Sequence, residues 1–206
     1  MSILVGLTGG MGSGKSLAAS YFKELGAYII HADLLSRQLA APHQPAWEEI
    51  IAEFGSEYLN PDKTLNKSKL AVEIFQNDKK RNALEGILHP RVIAEEQKIY
   101  SDRQRIDPEA VVVIESALLI ESQNYKNVDK VIVVQSTQEL QIQRVVNRDG
   151  NPSISVKNRL KSQMPLEEKL NYADYVLYNI SGRDQLKSQA QRLYSELKNL
   201  AEGIKT

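Results

Sequence analysis

The sequence predicts an α/β protein with a five-stranded parallel sheet, and three observations predict it. Short, unbroken apolar runs recur along the chain. Segments with helical spacing separate most of them. A glycine-rich turn joins the first run to the first helix. Unbroken runs suit parallel strands, which helices cover on both faces.

The elements follow in order. Residues 3–5, continued by Leu7, read as a buried strand. The Gly-rich turn leads into a helix over 16–25, which Gly26 stops. A second strand at 28–30 ends abruptly at His31-Ala32-Asp33. From 34 to 108 no clear strand is visible, and the segment reads as helices. One spans 46–54 and ends at Gly55. A second spans 67–75, with Leu70, Ile74 and Phe75 on one packing face. A third spans 78–100, carries Leu84, Ile87 and Leu88, and is expected to break or kink at Pro90. A helical insertion of this size forms its own subdomain and commonly shapes a substrate site. Strands follow at 111–114 and 131–134. Ser136-Thr137-Gln138-Glu139 fits a capping box for a helix running toward Gly150, which Asn151-Pro152 ends. The fifth strand is 175–178. Leu186, Ala190, Leu193, Leu197 and Leu200 form the packing face of a last helix.

Composition narrows the function. The 206 residues suffice for one sizeable core with a small insertion, and the 42% hydrophobic and 25% charged content is that of a globular protein. Lys+Arg and Asp+Glu are both 26, which argues against a nucleic-acid backbone as the main partner. The absence of cysteine excludes disulfides, thiolate catalysis and Cys-ligated zinc. The N-terminus lacks the basic region of a signal peptide, and no run reaches membrane-span length, so a cytoplasmic protein without a membrane partner is expected.

The strongest motif is Gly9-Gly10-Met11-Gly12-Ser13-Gly14-Lys15-Ser16, which satisfies G-x-x-x-x-G-K-[ST]. The glycines let backbone N–H groups turn inward around phosphate oxygens. The helix that starts near Lys15 points its positive dipole end at the same place. Lys15 is placed to reach the β- and γ-phosphates, and the Ser16 hydroxyl to ligate magnesium. A dinucleotide site is the competing reading, but its third glycine would fall on Lys15, which cannot allow close helix–strand packing. A GTPase switch is disfavoured because none of the eleven glycines has Asp three residues earlier, and Asn66-Lys67-Ser68-Lys69 lacks the guanine-reading aspartate.

A small-molecule kinase explains more of the chain. Such an enzyme needs a carboxylate to accept the proton of the acceptor hydroxyl. Asp33 lies just past a strand's C-terminal end, where α/β proteins bind ligands. Capping a helix that starts at Leu34 is the other use open to it. Closure over the phosphates calls for basic residues. Arg144 and Arg148 share one helix face, and Lys157, Arg159 and Lys161 follow, against one acid, Asp149. A solvated charged face would have the same composition.

The chain resembles the dephospho-coenzyme A kinases from about residue 3 to 200. The resemblance rests on GLTGGMGSGKS, Ala32-Asp33 followed by Arg37, Leu88-His89-Pro90 and Leu118-Leu119-x-Glu121. Arg144-x-x-x-Arg148-Asp149-Gly150 and Ala173-Asp174-x-Val176-x-x-Asn179 complete it. It implies a phosphate-loop kinase fold, with ATP phosphorylating the ribose 3′-hydroxyl of dephospho-CoA as the last step of coenzyme A synthesis and magnesium as cofactor. It implies a nucleotide core (about 1–36, 109–140 and 166–206), a helical substrate subdomain (37–108) and a lid (141–165). Asp33 is then the base, assisted by Lys15, Arg144 and Arg148. ATP would meet Gly10, Met11, Gly12, Ser13, Gly14, Lys15, Ser16, Leu17 and Asn179, the last near the adenine. The acceptor would meet Thr8, Asp33, Arg37, His89, Pro90, Leu118 and Glu121. The chain departs from the family pattern at His31, where Asp is common, and at Leu17, where a hydroxyl is usual. Ala117, Ile120 and Tyr178 replace a common Pro, Phe and Asp. A nucleotide or other small-molecule kinase, and an ATP-binding regulator without chemistry, are the alternatives.

Overall fold

Strand β1 (Ile3–Gly9) buries all seven of its residues, as an unbroken apolar run requires when helices cover both faces of a sheet. The computed structural model describes residues 1–150 and 163–204. It divides into two units, Met1–His31 with Ile99–Thr206, and Ala32–Lys98.

In the first unit β1 leads through the glycine-rich loop to α1 (Lys15–Glu24) and β2 (Tyr28–His31). Four helices, α2 to α5, intervene before β3 (Val111–Glu115) and β4 (Lys130–Gln135). Helix α6 (Gln138–Asp149), the short α7 (Leu166–Leu170), β5 (Tyr175–Tyr178) and α8 (Arg183–Ala201) complete it. The strand order is β2-β3-β1-β4-β5, and every pair is parallel. Leu7 and His31 both pair with Glu115, so β1, β2 and β3 deliver their C-terminal ends to one edge. On one face, Ala18, Ala19 and Phe22 of α1 and Leu186, Ala190, Leu193 and Leu197 of α8 close over Val5, Leu7, Val113 and Ile132. Leu200 packs at the margin of this cluster.

Helix α6 starts one residue later than expected. Thr137, not Ser136, is its N-cap, accepting a hydrogen bond from the Leu140 N–H. The Ser136 hydroxyl is used elsewhere, donating to the Asn179 carbonyl at 3.0 Å.

The hydroxyl of Tyr175 donates to Glu196 Oε1 at 2.6 Å, tying β5 to α8. Burial, and then the Glu196 carboxylate, push this phenol up to about 12. The neutral phenol is therefore favoured in the folded state. Its contribution is full below about pH 10 and is lost as pH rises from about 10 to 12. Tyr175→Phe is expected to cost about 1 kcal/mol at pH 7 and to flatten that alkaline slope. Urea titrations at pH 7 and across the alkaline limb check both; an unchanged slope would remove Tyr175 as its source.

The second unit contains α2 (Ala32–Leu39), α3 (Pro45–Phe54), α4 (Lys67–Gln76) and the first part of α5 (Asp78–Ile106). Ile50, Phe54, Tyr58 and Leu70 form its core, with Ile74, Leu84, Ile87 and Leu88 packed around them. Three expectations are corrected here. Phe75 is 63% exposed, because the α4 packing stripe is used up by Leu70 and Ile74. Helix α5 does not break at Pro90 but continues to Ile106. Pro90 leaves the Gly86 carbonyl without a donor, and Gly86 lies on exposed helix surface where water can serve it. Asp33 is not a cap for a helix from Leu34, since α2 already begins at Ala32. It sits in the first turn, where its charge complements the dipole.

Candidate active site

The loop between β1 and α1 requires glycine at two positions for separate reasons. Gly12 has φ 75°, and a Cβ there would stand 2.5 Å from the Gln141 carbonyl oxygen. Gly14 has φ 99°, and its Cβ would stand 2.0 Å from Asn179 Nδ2. The left-handed backbone and the close neighbours both exclude a side chain.

The outer side of the loop is held by a polar network. Arg144 Nη1 donates to the Gly12 and Ser13 carbonyls, each at 3.3 Å, and to Ser136 Oγ at 3.0 Å. Its Nη2 donates to the Asn179 carbonyl at 3.0 Å and to Asn179 Oδ1 at 3.2 Å. Asn179 Nδ2 donates to the Ser13 carbonyl at 2.8 Å. Carbonyls held from outside fix the loop's backbone. The Met11 N–H is taken by Gln163 Oε1 and the Ser13 N–H by the Gly10 carbonyl, so an anion would rest on the other N–H groups of the loop. Burial draws the Arg144 guanidinium below its ordinary pKa. Arg144 and Asn179, expected beside ATP, are thus both committed here to holding the loop. Arg148 is on the same helix, is exposed and has interactions of its own.

Inside the loop Lys15 and Ser16 converge on Glu115. Lys15 Nζ lies 2.8 Å from Glu115 Oε1, and Ser16 Oγ donates to the same oxygen at 2.6 Å. The other oxygen, Oε2, is 2.6 Å from His31 Nδ1. Burial of Glu115 would raise its pKa. The Lys15 charge outweighs that, together with hydrogen bonds from Lys15, Ser16 and His31, and holds the carboxyl below its usual range. A serine hydroxyl and an ionised carboxylate are hard oxygen donors of the type that hold magnesium, which takes few protein ligands and fills its shell with phosphate and water. No group of three or more acidic or histidine side chains able to bind a metal unaided occurs among the described residues. The donor set therefore fits magnesium carried in with a nucleotide.

Other expected residues are placed as follows. Thr8 is fully buried, and its hydroxyl has no hydrogen-bond partner among the described residues. Leu17 packs partly buried against the main core, so this position serves packing. The Met11 N–H donates to Gln163 Oε1 at 3.0 Å. Leu118 is exposed, while Glu121 pairs with the wholly buried Lys169 at 2.8 Å and accepts from the Met164 N–H at 3.3 Å. Lys169 also donates to the Ala117 carbonyl at 2.8 Å.

In the second unit Asp33 and Arg37 are exposed and lie one turn apart on α2. Arg37 lines a cavity of about 680 Å³ with Asn66, Lys67, Leu70, Ile74 and Leu88. Burial, and then the Arg37 charge, draw Lys67 below the ordinary lysine value. His89 and Pro90 lie on α5, and neither they nor Asp33 line this cavity. The expected break at Asn151-Pro152, the basic residues Lys157, Arg159 and Lys161, and residues 151–162 of the lid lie outside the described residues.

Sequence reasoning missed Glu115, Ser136, Gln163 and Lys169. The signal for Glu115 was present: a carboxylate ends the buried run Val111-Val112-Val113-Ile114. Gln163 and Lys169 carry no local signal.

A model of the dephospho-CoA kinase family matches residues 3–185. The dephospho-CoA kinase of Aquifex aeolicus is 36% identical over 193 residues, covering 94% of this chain and 96% of that protein. The structure of the Campylobacter jejuni dephospho-CoA kinase has a TM-score of 0.67 at 27% identity, covering 98% of this chain and 99% of that one. Shikimate kinase from Acinetobacter baumannii, at TM-score 0.51 and 19% identity over 100% of this chain and 97% of that one, shares the fold. The sheet and flanking helices are therefore those of a phosphate-loop kinase. With a phosphate loop complete to Lys15 and Ser16, and likeness along almost its whole length, the chain belongs to the dephospho-CoA kinase family.

Proposed function

We propose that the protein transfers the γ-phosphoryl group of ATP to the ribose 3′-hydroxyl of dephospho-CoA, giving coenzyme A and ADP in the cytoplasm. The observation that carries the reading is the convergence of Lys15, Ser16 and Glu115 inside a loop built for phosphate, in a chain of this family. Lys15 exchanges Glu115 for phosphate oxygens when nucleotide binds. Ser16 and Glu115 would hold magnesium, which supplies charge neutralisation across the phosphates. Asp33 accepts the proton of the 3′-hydroxyl as its oxygen attacks the γ-phosphorus and the bond to the β-phosphate oxygen breaks. Arg37 and His89 hold the acceptor, with Thr8, Pro90, Leu118 and Glu121 around it. Arg148 approaches ATP from the lid. The nucleotide core is 1–36, 109–140 and 166–206, the acceptor subdomain 37–108, and the lid 141–165.

The test is turnover of purified protein with ATP and magnesium on dephospho-CoA, beside a panel of nucleoside monophosphates and small sugars. Coenzyme A and ADP are expected in equal amounts from dephospho-CoA alone. Faster turnover of a panel member would name a different acceptor. ATP binding without transfer to any acceptor would make the chain a regulator.

A further inference from the structure

Glu115 receives three donors, and they differ in kind. Lys15 and Ser16 both reach Oε1, and both belong to the phosphate loop. They are the two groups that a magnesium nucleotide recruits. Among the described residues His31 alone reaches Oε2, and it belongs to the neighbouring strand. When nucleotide recruits Lys15 and Ser16, His31 is the donor to Glu115, among the described residues, that is not part of the loop. Glu115 is 7% exposed, so bulk water is poorly placed to take over the vacated orientation, whereas the His31 side chain is 47% exposed. We propose that His31 is a positioning residue for binding of the magnesium nucleotide: its Nδ1–H fixes the Glu115 carboxylate by Oε2, so that Oε1 stays turned toward Ser16 and the incoming nucleotide.

The local structure explains why histidine can do this. His31 is the last residue of β2 and is the register partner of Glu115 at the end of β3. Register partners on adjacent strands put their side chains on the same face within reach of each other. An ionised carboxylate only accepts, so the proton of the contact is on Nδ1. Without that N–H, Glu115 can turn both oxygens to Lys15, which tightens the grip on the lysine that must leave and strips the hydroxyl of Ser16. The loss therefore falls on nucleotide binding rather than on the chemical step.

The inference rests on the reading of Lys15 and Ser16 as nucleotide ligands, and the tests separate the two. His31→Leu is expected to weaken ATP binding measured calorimetrically with magnesium by about tenfold, a charge-assisted hydrogen bond's worth. ADP binding without magnesium should weaken less. KM for ATP should rise in step, with kcat within about threefold. Asn places its amide N–H where Nδ1 stands, so His31→Asn should bind within about threefold of wild type. Nitrogen NMR of the nucleotide-free wild-type protein should show the Nδ1-protonated ring. Equal affinities for wild type and His31→Leu overturn the proposal, as does an Asn variant no better than Leu, or an unprotonated Nδ1. If His31→Leu does not fold, the Asn variant and the NMR spectrum still decide. If wild type itself binds no ATP, the nucleotide reading fails instead.

Discussion

Asp33→Asn is expected to lower kcat by about 10²- to 10⁴-fold while moving KM for either substrate less than about threefold. Asparagine keeps the size and polarity of the side chain but cannot accept the proton of the acceptor hydroxyl. A base acts on that proton only as the new bond forms, so its loss falls on the chemical step. Asp33 is exposed in the first turn of α2, and among the described residues its side chain makes no hydrogen bond that the change would break. Its stability effect should stay within about 0.5 kcal/mol. Steady-state kinetics on dephospho-CoA, with urea titration of the same preparation, measure both quantities. A variant that retains more than about a fifth of the wild-type kcat would remove Asp33 from the role of base and turn attention to the helix-dipole function alone.

Arg144→Met is expected to destabilise the protein by about 2–4 kcal/mol and to weaken ATP binding by tenfold or more. The methionine keeps much of the stem but none of the five contacts. The Ser13 carbonyl keeps Asn179, and Ser136 keeps its bond to the Asn179 carbonyl. The Gly12 carbonyl and Asn179 Oδ1 lose the donor that the structure gives them. Groups left this way in a closed site carry their full desolvation cost. The experiment also separates two roles. Loss of ATP affinity with unchanged urea stability would mean that Arg144 acts on the nucleotide directly. Loss of both supports the clamp on the loop. An unchanged value for each would make the network incidental. Arg144→Lys should not rescue, because an ammonium cannot reach two carbonyls, a hydroxyl and the Asn179 oxygens in a fixed fork.

Much of this arrangement is legible in the chain. All five strands appear where unbroken apolar runs stand. In the central strands β1, β3 and β4 burial on both faces leaves little room for polar alternation, while the edge strands β2 and β5 are partly exposed. The phosphate loop is legible because its chemistry depends on eight consecutive residues. Helix α8 shows its packing stripe through the spacing of Leu186, Ala190, Leu193 and Leu197. The errors have local causes. Phe75 has the spacing of a core residue, but a core of this size is already full. Pro90 has the chemistry of a breaker, but an exposed Gly86 before it removes the penalty of an unsatisfied carbonyl. Ser136 and Thr137 are both good caps, and the choice between them was made by Asn179 and Arg144, which draw the Ser136 hydroxyl away.

The sequence by itself determined the fold class, the phosphate loop and the kinase family, since each rests on spacing within short segments or on motifs kept in order. The tertiary structure alone decided which side chains meet. The order β2-β3-β1-β4-β5 sets strands that are distant in the chain side by side. It thereby brings His31, Glu115, Lys15 and Ser16 to one point and makes Arg144 and Asn179 the backing of the loop. No local pattern encodes those meetings, because hydrogen bonds depend on distances of a few ångströms that only the closed sheet creates. His31 shows the difference: its chemistry is written in the chain, and its partner is chosen by the sheet.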